Sequence, residues 1–249
     1  MWSGTRVLKL LNDYLPNNKS IWPWVTWNIP GIAVAELNHF GICKGDALLE
    51  WFKKIFTDHG FDPNITFAKF YKKTGKHLVL SACSICYRRT AMFDYINTPN
   101  VPVTLAMRAS MAIPLFFTPV SYNNDYLVDG GTTRNYPIWY FDDIEAKSLG
   151  FLLNPEPNTY FTNMTYHETD DLLQFLKGYY SLLTDNVATV LAMGNSYRTV
   201  FIDCGDVTTF SFNLTEKQKE RIIKAAYNAT KDYFENNTSS VTSQEGVSL

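Results

Sequence analysis

Asp129 closes the apolar run Tyr126-Leu127-Val128, and two glycines, Gly130 and Gly131, follow it directly. Asn135 and Pro137 complete the segment as Asn-x-Pro. A carboxylate at the end of an apolar run is a candidate general base. Partial burial penalises its charged form and lifts its pKa towards the working range. Glycine on its C-terminal side removes Cβ bulk, so a substrate or another backbone can come close. Asp and Gly are also common turn formers, so the Asp-Gly-Gly run alone equally describes a plain turn.

The other reactive side chains carry weaker patterns. No Gly-x-Ser-x-Gly occurs in the 249 residues. Ser3-Gly4-Thr5 has a helical pattern after it but no glycine before it. Ser20 precedes a proline-broken stretch, Ser110 lies within the helical pattern Val101–Met111, and Ser81 and Ser84 read as buried. Gly194-Asn195-Ser196-Tyr197-Arg198 has one glycine at the wrong offset. No nucleophile is identified. His39, His59, His77 and His167 are scattered, and none has a triad-like context. Cys83 and Cys86 form a C-x-x-C without a second ligand pair, which reads as small residues on or beside a buried strand. Metal ligation is not expected, and there is no Walker or dinucleotide motif.

Elements to position these groups follow from periodicity. Val7–Leu15, Asp46–Phe56, Ile65–Tyr71, Val101–Met111 and Leu172–Met193 show helical spacing. On the last of these, Leu172, Leu173, Leu176, Tyr179, Tyr180, Leu183, Val187, Val190 and Leu191 are expected to form the buried face. Thr215-Glu216-Lys217-Gln218 is a capping box. It opens a helix whose apolar side holds Ile222, Ile223, Ala226, Tyr227, Tyr233 and Phe234. His77–Cys86, Tyr126–Val128 and Thr199–Cys204 read as strands. Alternating helices and strands give an α/β class with a mainly parallel sheet. Residues 1–235 read as one domain. Residues 236–249, rich in Ser, Thr and Gly, read as a disordered tail.

Several of these segments together resemble the patatin-like phospholipase domain. Arg108-Ala109-Ser110-Met111-Ala112-Ile113-Pro114 is similar to the segment that precedes that family's Asp-Gly-Gly/Ala loop, and Asn135 and Pro137 match the Asn-x-Pro after it. Similarity extends from Gly41-Ile42-Cys43-Lys44-Gly45-Asp46 to Asn195-Ser196-Tyr197-Arg198-Thr199 and the Leu214–Gln218 helix start, covering most of residues 38–234. The resemblance implies a three-layer α/β fold and a lipid acyl hydrolase working through a Ser–Asp dyad without histidine. Asp129 matches the family's aspartate, with Gly130, Gly131, Asn135 and Pro137 as loop support. No cofactor is implied. The substrate would be a phospholipid or another acyl-ester lipid. The chain departs from the pattern in its first 40 residues, which hold neither the glycine-rich oxyanion loop nor the nucleophile turn. The N-terminal strand and nucleophile elbow are therefore expected to be missing. The chain reads as keeping the aspartate but not the serine, either as part of an active hydrolase or as an inactive pseudoenzyme that binds lipid or protein.

Composition agrees with a folded domain. Hydrophobic residues make up 46% and charged residues 18%. Lys plus Arg is 22 against 24 for Asp plus Glu, which gives no electrostatic reason to expect nucleic acid. Four cysteines are too few for a disulfide framework. No signal peptide is readable, so cytoplasmic or peripheral membrane placement is expected over secretion, and the Asn-x-Ser/Thr sequons are read as chance. The uncharged stretch from Ser20 to Ala35 carries Trp22, Trp24 and Trp27 and reads first as packing against the rest of the domain, with a lipid-contacting flap as the alternative.

Overall fold

The computed structural model describes residues 40–143, 148–153, 172–207, 210–211 and 213–242. The expectations for Val7–Leu15, Ser3, Ser20, the tryptophan-rich stretch, His39 and His167 lie outside these residues. The chain divides into two compact units, Met1–Asn135 and Tyr136–Leu249.

The first unit is built on a four-stranded antiparallel sheet of order β3-β2-β6-β5. Its strands are β2 (Leu80–Ser84), β3 (Arg89–Phe93), β5 (Val120–Tyr122) and β6 (Asp125–Asp129). A separate pair, β1 (Gly41–Cys43) with β4 (Leu115–Phe117), is parallel. Among the described residues three helices of eight residues or more accompany them: α1 (Asp46–Asp58), α2 (Phe67–Thr74) and α3 (Val103–Ser110). The α/β class is thus present. Parallel pairing is found in two-stranded pairs, whereas the largest sheet among the described residues is antiparallel. Short hairpins impose that direction: the apolar run 77–86 folds back at once into β3, a strand the sequence reading did not separate.

The hairpin joining β5 to β6 decides where Asp129 lands. Asn123 and Asn124 both have positive φ, 49° and 61°, as a two-residue type I′ turn requires. That turn pairs Tyr122 with Asp125 and sends β6 along β2, where Asp129 pairs with Ala82. Beneath lies the core. Ala82, Leu127 and Phe93 from the sheet meet Val103, Ala106 and Ala109 of α3, with Ile65 and Phe67 at the end. The alanines let α3 approach the sheet closely, and its C-terminal turn carries Ala112, whose carbonyl accepts the Asp129 N–H at 2.9 Å.

Arg108 locks α3 to the segments around it. It is 4% exposed. Its Nη2 donates to the Lys44 and Thr118 carbonyls at 2.7 and 3.0 Å, and its Nε to the Gly45 carbonyl at 3.1 Å. Burial pulls its pKa down, and the nearby Asp46 carboxylate partly offsets this. Gly45 sits at φ 73°, and a Cβ there would lie 2.2 Å from the guanidinium, so the position requires glycine on both counts.

The second unit has three layers. Strand β7 (Gly150–Leu153) runs parallel to β8 (Thr199–Ile202). Helix α5 (Leu172–Met193) covers one face through Ala188 and Ala192 against Leu152 and Phe201. Helix α6 (Glu216–Thr242) covers the other through Ile222, Ala226, Ala229 and Tyr233 against Val200 and Ile202. Thr215 and Gln218 form the expected reciprocal cap, Gln218 Oε1 taking the Thr215 N–H at 3.0 Å. The residues 243–249 lie outside the described set.

The buried faces of both helices differ from the sequence expectation. On α5 the buried residues are Thr184, Ala188 and Ala192, while Tyr179, Leu183 and Val190 are exposed. On α6, Ile223, Tyr227 and Phe234 are exposed. The physical reason is distance: close packing on a strand selects small or well-placed side chains, and hydrophobicity alone does not say which apolar residues fit. No helix among the described residues is long and apolar enough to cross a membrane.

Replacing Arg108 by Ala removes a buried guanidinium that holds three backbone carbonyls. Chemical denaturation of Arg108→Ala is expected to show a loss on the order of 3 kcal/mol, and Arg108→Lys should recover only part of it because an ammonium lacks the planar fork.

Candidate active site

Asp129 stands at the C-terminal end of β6, where the strand turns into the four-residue helix α4 (Gly131–Arg134). Its Oδ1 accepts the Gly131 N–H at 2.7 Å. Among the described residues this is the carboxylate's one hydrogen-bond donor, which leaves Oδ2 available as a base. Burial is the main influence on its acidity and pushes the carboxyl from an ordinary 3.8 to about 6; the Gly131 N–H pulls the other way and is outweighed.

The other end of the same strand provides a control. Asp125 is 8% exposed. Burial would raise its pKa too, yet hydrogen bonds from Ser84, Cys86 and Tyr126 prevail and hold it below the usual carboxylate range. Its Oδ1 takes the Cys86 and Tyr126 N–H groups at 3.1 and 2.8 Å. One acid is saturated with donors and ties a hairpin together. The other is desolvated with a lone pair to spare. Only the second is suited to accept a proton near neutral pH.

The two glycines have distinct reasons. Gly130 sits opposite Ser81 of β2, and a Cβ there would lie 2.4 Å from Ser81 Oγ and 2.5 Å from its carbonyl oxygen. The close approach foreseen for this glycine is therefore made by the β2 backbone. At Gly131 a Cβ would lie 3.0 Å from both Asp129 Oδ1 and Asn135 Oδ1. The Asn135 amide thus faces the same small space as the carboxylate, from an exposed position at the end of α4. Pro137 opens the 3-10 turn Ile138–Phe141 that starts the second unit. Asp129, Gly130, Gly131 and Asn135 are brought together; Pro137 follows them along the chain.

The alternatives are placed elsewhere. Ser81 is half-buried and pairs with the loop one residue beyond the Ala82–Asp129 pair, so the pleat aims its side chain to the opposite face from Asp129. Ser84 is buried and its Oγ accepts the Tyr87 N–H. His59 caps α1 against the Ile55 carbonyl. His77 packs edge-on against Tyr95, 3.9 Å from the Asp94 carboxylate. Cys83 is buried and Cys86 exposed, and both thiols are free. Among the described residues no group of three His, Cys, Asp or Glu could hold a metal ion.

Sequence reading missed the partners under the loop. Cys83, Thr133 and Thr90 form a connected set below Gly130. The only trace in the sequence was the C-x-x-C, whose first cysteine proves to matter for packing and hydrogen bonding.

Comparison with known proteins matches this chain to a family. The model of the patatin-like phospholipase family matches residues 10–142. An uncharacterised protein, R571, of Acanthamoeba polyphaga mimivirus is 28% identical over 196 residues, which span 77% of this chain and 64% of that protein. A "probable lipid hydrolase 463L" of invertebrate iridescent virus 6 is 37% identical over 75 residues, 30% of this chain and 26% of that one. YqhO of Bacillus subtilis, also uncharacterised, is 23% identical over 89% of this chain and 73% of its own length. The chain therefore spans less than two thirds of the two viral relatives. The crystal structure of VipD from Legionella pneumophila covers 70% of this chain and 36% of VipD, with a TM-score of 0.44 and 18% identity. With the family model matching more than half of its residues, including the Asp129 loop, this chain belongs to the patatin-like phospholipase family.

Proposed function

We propose that this chain contributes the general-base half of a lipid acyl hydrolase, with Asp129 as the base. The observation that carries the reading is the desolvated Asp129 carboxylate with one oxygen uncommitted. Membership of the family and the name of the iridoviral relative support a lipid ester as substrate. In this reading Asp129 removes the proton from a serine hydroxyl as its oxygen adds to the ester carbonyl. The tetrahedral intermediate collapses to an acyl-serine, and the same proton leaves with the alcohol. Water then adds to the acyl carbonyl as Asp129 takes its proton, and that proton passes to the serine oxygen as the fatty acid leaves, restoring both groups. The chemistry runs without a metal or cofactor. The serine is not assigned, because the sequence holds no Gly-x-Ser-x-Gly. The Asn135 amide faces the carboxylate's side of the loop and supports its orientation. The uncharged stretch with Trp22, Trp24 and Trp27 is assigned to contact with the lipid surface.

The missing nucleophile turn favours a second reading, a pseudoenzyme that binds lipid or protein without turnover. Hydrolysis of a short-chain ester and of phosphatidylcholine vesicles separates the two. Under the first reading ester is hydrolysed by the protein in which this chain is joined to the segment bearing the serine, and Asp129→Asn there lowers kcat/KM on the order of 10³-fold or more. Under the second, neither form hydrolyses and both sediment with the vesicles. Turnover that survives Asp129→Asn unchanged removes Asp129 from the mechanism.

The pH dependence has a defined sign. A base must be deprotonated, so kcat/KM is expected to rise with pH through an apparent pKa of about 6 and level off above it.

Stability should move in the opposite sense. The folded pKa lies above the unfolded one, so the native state holds the extra proton between them. The cost of the buried charge is absent below about pH 4 and complete above about pH 6. Asp129→Asn is therefore expected to raise the thermal midpoint at pH 8 and to lose that advantage at pH 4, with an upper bound of about 3 kcal/mol.

A further inference from the structure

Four side chains and one peptide group under the Asp129 loop form a continuous chain of hydrogen bonds. Cys83 lies on β2 next to Ala82, with its thiol on the face where α4 sits. Its Sγ donates to the Gly130 carbonyl at 3.7 Å, a length within the range for sulfur. A thiol has one proton, so the Thr133 hydroxyl 3.0 Å from Sγ must be the donor in that contact. The Thr133 oxygen then accepts from the Thr90 hydroxyl of β3 at 2.9 Å. Every member donates once in the same direction, from Thr90 to Thr133 to Cys83 to the Gly130 carbonyl.

The chain does not end at that carbonyl. The Gly130 C=O and the Gly131 N–H belong to the same peptide unit. Its carbonyl also accepts the Thr133 and Arg134 N–H groups at 3.2 and 2.9 Å. Its N–H is the group that donates to Asp129 Oδ1 at 2.7 Å. Donors at the oxygen of an amide polarise it and strengthen the N–H as a donor, which is the cooperative effect expected of hydrogen bonds in series. A stronger Gly131 N–H favours the ionised form of Asp129.

We propose that Cys83 and Thr133 are positioning residues that act on Asp129 through the Gly130–Gly131 peptide, keeping its carboxylate a usable base in a site that otherwise favours the neutral acid. The functional part of this proposal rests on Asp129 being the general base. The structural part does not. Other titratable or charged groups on the elements packed around β6 are Tyr122 on β5, Arg108 on α3 and Arg134 on α4. Arg108 is held by the Lys44, Gly45 and Thr118 carbonyls. The Cys83 thiol feels the Asp129 charge, and burial first, then that charge, raises its own pKa against the hydrogen bonds from Thr133. The thiol therefore stays protonated and able to donate.

The test is a titration of Asp129 in the intact protein, read from its side-chain carboxyl carbon by NMR, which needs no turnover. Cys83→Ala and Thr133→Val are each expected to raise the Asp129 midpoint by about half a pH unit. Cys83→Ser, which keeps a donor, should hold the wild-type midpoint. The double variant should move no further than Cys83→Ala alone, because both changes cut one chain. An unmoved midpoint in Cys83→Ala, a failure of Ser to restore it, or strictly additive shifts would overturn the proposal. Should Cys83→Ala not fold, the exposed Thr133→Val and the half-buried Thr90→Val decide the matter by the same shift. Ester hydrolysis by Asp129→Asn reports separately on the general-base reading, so the two ideas fail by different measurements.

Discussion

Strand β2 is the constraint on which the first unit depends. It pairs with β3 on one side and β6 on the other, and it lends one residue of each face to a different task. Ala82 enters the core under α3. Ser81 and Cys83, on the opposite face, press against Gly130 and hold its carbonyl. A slip of β6 by one residue would exchange these faces, burying Val128 where Leu127 belongs and moving Asp129 off its place beside Ala82. The Asn123–Asn124 turn prevents that slip by its length and by two backbone conformations that asparagine tolerates.

The same strand shows how environment divides the roles of identical side chains. Asp125 and Asp129 are four residues apart and both shielded from water. What separates them is the supply of donors. Asp125 collects a hydroxyl and two amide N–H groups, and its charge becomes part of the hairpin. Asp129 receives one amide N–H and remains closer to the point where proton transfer is cheap in either direction. The hydrogen-bond chain from Thr90 through Cys83 belongs to this balance, since it works on that single amide from behind.

Buried Arg108 plays the corresponding part for α3. A guanidinium with backbone carbonyls as partners is an expensive way to join two loops and a helix, because among the described residues its charge has no carboxylate in direct contact. Its geometric return is that three carbonyls, from both ends of the β1–β4 neighbourhood, are fixed to the helix that supports Ala112. The Ala112 carbonyl in turn holds the backbone N–H of Asp129. The loop is therefore gripped from two sides, by α3 through the main chain and by β2 through a thiol.

Local chemistry was legible in the sequence wherever it depended on neighbours along the chain. The helix starting at Asp46, the capping box at Thr215–Gln218 and the extent of Leu172–Met193 all follow from short-range pattern. Asp129 and its loop were a candidate on the same ground, since an acid ending an apolar run before two glycines is a local feature. The family resemblance rested on such segments as well. Tertiary structure decided everything that required two distant segments to meet. It split the run 77–86 into a strand and a hairpin, chose small residues over large ones for the buried face of α5, and made Gly130 necessary through contact with Ser81. It also determined which of two aspartates on one strand would be starved of donors. Hydrophobicity and propensity are properties of single residues, whereas desolvation and hydrogen-bond supply belong to a place in the fold.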